Sequence, residues 1–391
     1  MRIRALTTLE ADAGWRRAYY LKVETDQGLI GWSEFGEHTG TLGLGGVIRA
    51  LGHLVVGMDP LAIERVAAFL KGRSQQAAGG LNQHAIAAIT NALFDIKGKA
   101  LGVPVHSLLA GALRKRIPVY WSHCGTYRMR HAELLGTAPV RTPDDLVALG
   151  REVKERGFRG AKTSIMSFEN GRYIGFSPGF AQTPGHPELN PDRALMRTLD
   201  EQLAAFRQGM GNHLDLMLDV NFNFRPEGFL QVARTAAPYG LTWLELDTYD
   251  AAGLARLRAT MPCPVASCEA LFGRTQMRPF LEAGAVDVVI IDVMWNSYLE
   301  ALKMAALAES FEVNVATHNY GGGVLGDVMS AHFAAAIPNF RIGEFDADDI
   351  PWKQDFLTEK LIVEEGEIVV PDGPGWGVDV NEEALRAHPP R

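Results

Sequence analysis

Residues 286–293 read VDVVIIDV, an almost unbroken apolar run that ends on Asp292. A strand buried on both faces reads this way, whereas a strand with one wet face alternates. Similar short runs occur at 117–122 (IPVYWS), 160–165 (GAKTSI), 214–220 (LDLMLDV), 241–246 (LTWLEL), 264–268 (PVASC), 314–317 (NVAT) and 341–345 (RIGEF). Segments of helical spacing separate them, among them 142–156, 192–209, 297–310 and 322–336. Strand-like runs joined by helical crossovers predict an α/β fold, a TIM-type barrel. The rival, a doubly wound sheet, needs a phosphate-binding glycine turn after an early strand. The nearest candidate, Gly43-Leu44-Gly45-Gly46, has the wrong spacing and the wrong place.

Upstream the pattern changes. Residues 19–25 alternate like a strand, Asp26-Gln27-Gly28 makes a turn, and residues 29–33 read as the hairpin partner. Residues 36–48, GEHTGTLGLGGVI, are glycine-rich and read as a mobile loop. Helical spacing returns near 61–72 and 82–100, with Ile86, Ile89, Leu93 and Ile96 on one face of the second. The expected organisation is an α+β capping domain over 1–115 and a catalytic barrel over 116–354. The hairpin-like tail sequence LIVEEGEIVVPDG predicts that residues from about 355 to 391 complete the cap.

The chain has 391 residues, 47% hydrophobic and 21% charged, which allows two domains and a large core. A net charge of −8 argues against nucleic-acid or anionic-membrane partners. No apolar run approaches the ~20 residues of a bilayer span, and MRIRALTTLEADAG lacks a signal-type apolar core. Cys124, Cys263 and Cys268 lack metal-type spacing and suit a reducing compartment. These features predict a cytoplasmic protein whose partner is a small molecule.

In a barrel the chemistry sits where strands run out into loops. The residues there are Lys162 and Ser164, Asp219 and Asn221, Glu245 and Asp247, Glu269, Asp292, His318 and Glu344. One carboxylate after a strand is more often a helix cap than a ligand. Asp219, Glu245 and Glu269, however, end three consecutive strands and would repel strongly at one barrel mouth. A hard dication with oxygen ligands removes that cost, and Mg²⁺ fits best. Asp292 and His318 lie on the next two strands, where a carboxylate can fix the tautomer of a general base. Lys162 can pair with a carboxylate of the site or hold a substrate carboxylate. Glu344 can be protonated and donate, or orient a neighbour.

Taken together, IAAITNALFDIKGKALGVPVHSLLAG (85–111), Lys162, Asp219-Val220-Asn221, Trp243-Leu244-Glu245, Cys268-Glu269, Ile291-Asp292, Thr317-His318 and PDGPGWG (371–377) resemble the enolase superfamily, in its mandelate racemase and acid-sugar dehydratase branch. The resemblance covers nearly the whole chain. It implies an α+β N-terminal cap, a modified (β/α)7β barrel, one Mg²⁺ on Asp219, Glu245 and Glu269, and an Asp292–His318 dyad. It also implies removal of the proton alpha to a substrate carboxylate, giving an enediolate whose oxygen meets Glu344. Homo-oligomers are common in the family, so one is expected here.

Two departures from the family pattern narrow the reaction. Many members carry Lys-x-Lys at the end of the second barrel strand; here the tripeptide is Lys162-Thr163-Ser164, and serine is no proton acceptor near neutral pH. Some sugar-acid dehydratases place a histidine where Asn221 stands. The expected activity is therefore Mg²⁺-dependent dehydration of an aldonate-type sugar acid by one histidine, a lyase reaction yielding a 2-keto-3-deoxy acid. Racemisation, epimerisation, cycloisomerisation and a catalytically silent relative are the alternatives. Further candidates for substrate contact are Asn221, Ser164, Tyr320 and His38, with His123 a possible acid. The 168–190 loop, with Arg172, Tyr173 and His186, reads as a lid. By the resemblance, residues 36–48 close over the distal end of the substrate.

Overall fold

The computed structural model describes residues 1–109, 111–170, 172–180, 189–319 and 322–390. The chain opens as an antiparallel meander of β1 (Ile3–Ala13), β2 (Arg16–Thr25) and β3 (Ile30–Phe35). The expected hairpin is present, with Tyr20 opposite Glu34 and Val23 opposite Gly31. Strand β1 has no clear period in its own sequence, and its pairing with β2 along nearly its whole length defines it. Helices α1 (Leu44–Val55), α2 (Ile63–Arg73) and α3 (Gly80–Leu101) cover the meander. Ile86, Ile89, Leu93 and Ile96 of α3 are buried, as their spacing requires.

The glycine-rich segment departs from the expected loop. A single 3-10 turn fills Thr39–Thr41, and α1 starts at Leu44. Glu37 supplies the reason. Its carboxylate accepts from the amides of Gly43 (2.9 Å) and Gly45 (2.7 Å), donors that a helix start leaves open. Burial of Leu44, Ile48 and Val55 then holds the helix against the cap.

The barrel begins with β4 (Arg116–Trp121) and β5 (Gly160–Ser164). A hairpin of β6 (Met166–Glu169) and β7 (Arg172–Gly175) follows at its rim. β8 (Asp215–Asp219), β9 (Trp243–Glu245), β10 (Val265–Ser267), β11 (Val288–Asp292), β12 (Asn314–His318) and β13 (Phe340–Phe345) complete the ring. Helices α4 (Thr126–Leu135), α5 (Pro143–Glu155), α6 (Arg193–Met210), α7 (Pro226–Ala236), α8 (Ala251–Arg258), α9 (Gly273–Glu282), α10 (Val293–Asn296), α11 (Tyr298–Glu309) and α12 (Val324–Ala336) lie along the barrel segment of the chain. β4 pairs in parallel with both β5 and β13, which closes the sheet and excludes the doubly wound alternative. Tyr120, Met217, Trp243, Ala266, Val288, Ile290, Ala316 and Ile342 fill the barrel interior. Among the described residues no helix is long and apolar enough to cross a membrane.

The C-terminal tail adds β14 (Val363–Glu364) and β15 (Glu367–Val369), the latter antiparallel to β4. Beyond it Trp376 is fully buried against the cap. The buried Asp95 carboxylate accepts from the amides of Trp376 (2.9 Å) and Trp32 (2.8 Å) and from Lys99 Nζ (2.7 Å). Trp376 Nε1 donates to the carbonyl of Trp32 at 2.9 Å. One carboxylate thus joins meander, helix and tail. Asp95→Ala strands two buried amides and an ammonium, so a loss of roughly 3–5 kcal/mol is expected in denaturant unfolding. Unchanged stability would mean that these bonds do not tie the tail down.

Candidate active site

Side chains two residues apart on a strand share a face, and this rule builds most of the site. Inward-facing Met217 is followed by Asp219, Trp243 by Glu245, Ile290 by Asp292, Ala316 by His318, Ile342 by Glu344 and Tyr120 by Ser122. Each strand therefore plugs the barrel with one side chain and offers the next to its mouth. Strand register aligns them: Ser164 pairs with Asp219, Asp219 with Glu245, and Asp292 with His318. Glu269 breaks the rule, standing three residues after Ala266. Cys268 at φ 88° turns the chain so that Glu269 enters the site. His123 (φ 48°) and Asn221 (φ 40°) also hold left-handed backbone at strand ends of the same mouth. Such conformations cost energy and gather at functional sites.

Asp219, Glu245 and Glu269 each offer a buried oxygen, and these atoms lie within 4.8 Å of one another. Their other bonds leave room for a cation. Glu245 accepts from Lys162 Nζ (2.9 Å) and Trp243 Nε1 (3.0 Å), and Asp219 from the amide of Asn221 (3.0 Å). Among the described residues Glu269 Oε2 is buried without a hydrogen-bond partner, and His318 Nε2 lies 3.3 Å from it. Asp247, also buried, has an orphaned Oδ2. Orphaned oxygens among like charges are what a hard dication satisfies, so the donor set fits Mg²⁺.

The electrostatics agree. Burial, then the charge of Asp219, pushes Asp247 up to about 7. Burial, then Asp247, raises Glu269 well above the carboxylate range, and burial also raises Glu245 against the pull of Lys162. Lys162 pairs with the site carboxylates, lying 3.0 Å from Glu344 and 3.6 Å from Asp219 as well. Glu344 accepts from the Ser122 hydroxyl (2.5 Å) and the Asn319 amide (2.8 Å). Burial opposes its ionisation, but Lys162, His318, His123 and Ser122 together hold it well below the usual range. These surroundings favour an ionised, accepting Glu344 over the protonated donor and suit the other role read from sequence, orienting a neighbour.

His318 Nδ1 lies 2.7 Å from Asp292, whose other oxygen caps α10 through the amide of Trp295. Asp292 therefore serves both as helix cap and as imidazole partner. Burial alone would lower the His318 pKa, but Glu269, Asp292 and Glu344 drive it up to about 10. Trp295 meets the His318 ring edge-on, with centroids 4.7 Å apart. From the cap, His38 is close enough to feel the charges of His318 and Asp292, while burial depresses its own basicity. Ser164 and Asn221 stand beside Asp219 at the mouth; Tyr320 and His186 lie outside the described residues. Of the 168–190 segment, Arg172 is exposed on the rim hairpin, Tyr173 is buried, and residues 181–188 lie outside the description.

Sequence reasoning passed over His84 and Trp295. His84 comes from α3 and packs on Phe272 (5.3 Å) and Trp295 (5.1 Å). Both were hidden because neither ends a strand; Trp295, three residues past Asp292 in a short helix, left the better signal.

A closed barrel carries at its mouth an acidic triad that could hold a metal ion and, beside it, an imidazole–carboxylate pair. Comparison agrees. Residues 145–384 match the model of the enolase C-terminal domain-like family, and residues 12–110 that of the mandelate racemase / muconate lactonizing enzyme N-terminal domain. The chain belongs to the enolase superfamily. It is 30% identical to a D-galactarolactone cycloisomerase of Agrobacterium fabrum, over 95% of this chain and 91% of that one. It is 28% identical to a D-galactonate dehydratase of Xanthomonas campestris, over 99% and 94% of the two chains. Among solved structures, a Burkholderia xenovorans protein described as a candidate L-alanine-DL-glutamate epimerase, bound to magnesium and fumarate, superposes with a TM-score of 0.96. That match has 44% identity and covers 100% of this chain and 96% of the other.

The raised carboxylates fix the pH response. A carboxyl group whose folded pKa exceeds its unfolded value stabilises below the unfolded pKa, and this contribution is lost as pH rises through the folded one. For Asp247 that upper limit is about 7. Mg²⁺ competes with those protons, so the thermal stabilisation it gives should grow from about pH 5 to about pH 8. A magnesium-induced shift in Tm that is flat or shrinks over that window would count against a cation among these carboxylates.

Proposed function

We propose that the protein is a Mg²⁺-dependent dehydratase of an aldonate-type sugar acid, a carbon–oxygen lyase. The observation that carries this reading is the one-sidedness of the acid–base machinery. The Asp292–His318 pair faces the metal triad from one side, while Ser164 stands in register with Asp219 where a second base would be needed. Curated dehydratases of D-gluconate, D-xylonate and D-galactonate at 27–28% identity support the same substrate class.

When bound on Asp219, Glu245 and Glu269, the cation supplies fixed positive charge beside the substrate carboxylate. His318 Nε2 removes the alpha proton, with Asp292 holding the ring orientation and stabilising the imidazolium formed. The C–H electrons pass into the carboxylate, giving an enediolate, and the Lys162 ammonium offsets that charge. As the electrons return, the beta C–O bond breaks, and the imidazolium proton leaves with the hydroxyl as water. The enol then becomes a 2-keto-3-deoxy acid. One histidine performing both transfers implies syn elimination.

Cycloisomerisation is the second reading, favoured by the same single dyad and by the 30% identical relative. It needs the same two proton transfers with a ring oxygen as the leaving group. Two-base epimerisation fits Ser164 less well, although the 44% identical structure is described with such an activity.

Incubation with Mg²⁺ and a panel of sugar acids, followed by a colour test for 2-keto acids, tests the proposal. No turnover across a broad panel would weigh heavily against it; deuterium exchange at the alpha carbon without keto acid would favour epimerisation. His318→Asn should lower kcat by about 10²–10⁴-fold or more while magnesium titration stays unchanged. Dehydration that survives this substitution would sink the one-histidine scheme.

A further inference from the structure

A second imidazole–carboxylate pair lies across the mouth from the metal triad. His123 Nδ1 is 2.7 Å from Asp346 Oδ1 and 3.2 Å from Ser122 Oγ, and Ser122 Oγ donates to Glu344 Oε1 at 2.5 Å. Asp346 also accepts from Tyr127 (3.3 Å), whose ring stacks on His123 with centroids 4.6 Å apart and planes 7° from parallel. Trp15, at the β1–β2 turn of the cap, packs on Tyr127 in turn, 5.0 Å away. Ser122 is fully buried, and Glu344 and Asp346 are buried too.

We propose that His123 and Asp346 are positioning residues that aim the Ser122 hydroxyl at Glu344, and that the cap's hairpin tip braces them. The inference deepens the elimination chemistry above and rests on Glu344 lying beside the developing enediolate. Its logic is one of hydrogen count. An ionised carboxylate only accepts, so at 2.7 Å the hydrogen between Asp346 and His123 belongs to Nδ1. Nδ1 then has no lone pair for Ser122, and the single hydroxyl hydrogen goes to Glu344. With the other tautomer a bare Nδ1 at 3.2 Å would compete for that hydrogen. Glu344 would lose one of the donors that keep it charged. The left-handed backbone at His123 turns the chain at the strand end where this geometry is made.

The tautomer can be read without any substrate. In ¹⁵N-histidine-labelled protein with Mg²⁺, the NMR signal that disappears in His123→Phe should report a protonated Nδ1. A bare Nδ1 overturns the proposal, whatever the sugar-acid panel shows. On the acid that the panel identifies, His123→Phe should lower kcat by about 10–100-fold with KM and magnesium affinity little changed. In a Ser122→Ala background the same substitution should cost nothing further, because its route is already cut. An equal loss in both backgrounds would mark His123 as merely structural and overturn the relay. His123→Asn guards against misfolding of the Phe variant, since asparagine tolerates positive φ and its amide hydrogen can stand in for Nδ1–H. It should keep most of the activity; loss matching that of His123→Phe in a folded protein would count against the relay.

Discussion

Buried like charges must be compensated, and at this barrel mouth Lys162 is the fixed part of the compensation. Its ammonium, almost wholly buried, lies between Glu245, Glu344 and Asp219. At ~4 Å and an effective dielectric near 20, each carboxylate pair repels by about 4 kcal/mol, and each contact with Lys162 returns a similar amount. One ammonium cannot neutralise Asp219, Glu245, Asp247 and Glu269 together. The raised pKa values of Glu245, Asp247 and Glu269 express the deficit, and a dication is what would remove it. Glu344, on the far side of Lys162, shows the opposite outcome: with the lysine, two imidazoles and a hydroxyl around it, it stays charged.

The same deficit bears on His318. Its high pKa depends on Glu269 before Asp292. An imidazole that holds its proton at neutral pH cannot act as a base. A cation on Glu269 withdraws that carboxylate's charge from His318 and leaves Asp292 as the chief partner. On the proposed function, metal binding and readiness of the base would then be one electrostatic event rather than two, linked by the 3.3 Å approach of Glu269 to His318.

The barrel and its strand-end residues were legible because short apolar runs separated by helical spacing each stop at a polar residue, and the two-residue period of a strand then ties core and site together. Once Met217, Trp243 or Ile290 reads as core, Asp219, Glu245 or Asp292 must face the mouth. Where backbone torsion overrides alternation the sequence is mute. Nothing in Ser267-Cys268-Glu269 announces a left-handed cysteine; Glu269 was found as the carboxylate that follows an apolar run, not from the turn that aims it. Contributions from the cap were equally opaque, since His84 reaches Trp295 only after α3 docks on the barrel. The Glu37 cap that converts a glycine-rich stretch into the start of α1 depends on a six-residue return of the chain that composition does not reveal. Ser122, His123 and Asp346 are polar neighbours on the first and last barrel strands, and only ring closure makes them a unit.

Relatives named for dehydration, cycloisomerisation and epimerisation share one fold with this chain, and the site explains how that is possible. On the proposed function, triad, Lys162 and dyad concern only the loss of the alpha proton and the charge it leaves. The fate of such an enediolate would be decided by the groups around the rest of the substrate. A leaving group within reach of the same imidazolium gives elimination, while a second base on the other face gives inversion. Here Ser164, a side chain too short and too weakly basic for that work, stands in register with Asp219 of the triad. Serine rather than lysine at that position also leaves one positive charge fewer at a mouth already short of them. The demand on Lys162 is the greater for it, and on the proposed function so would be the demand on the cation.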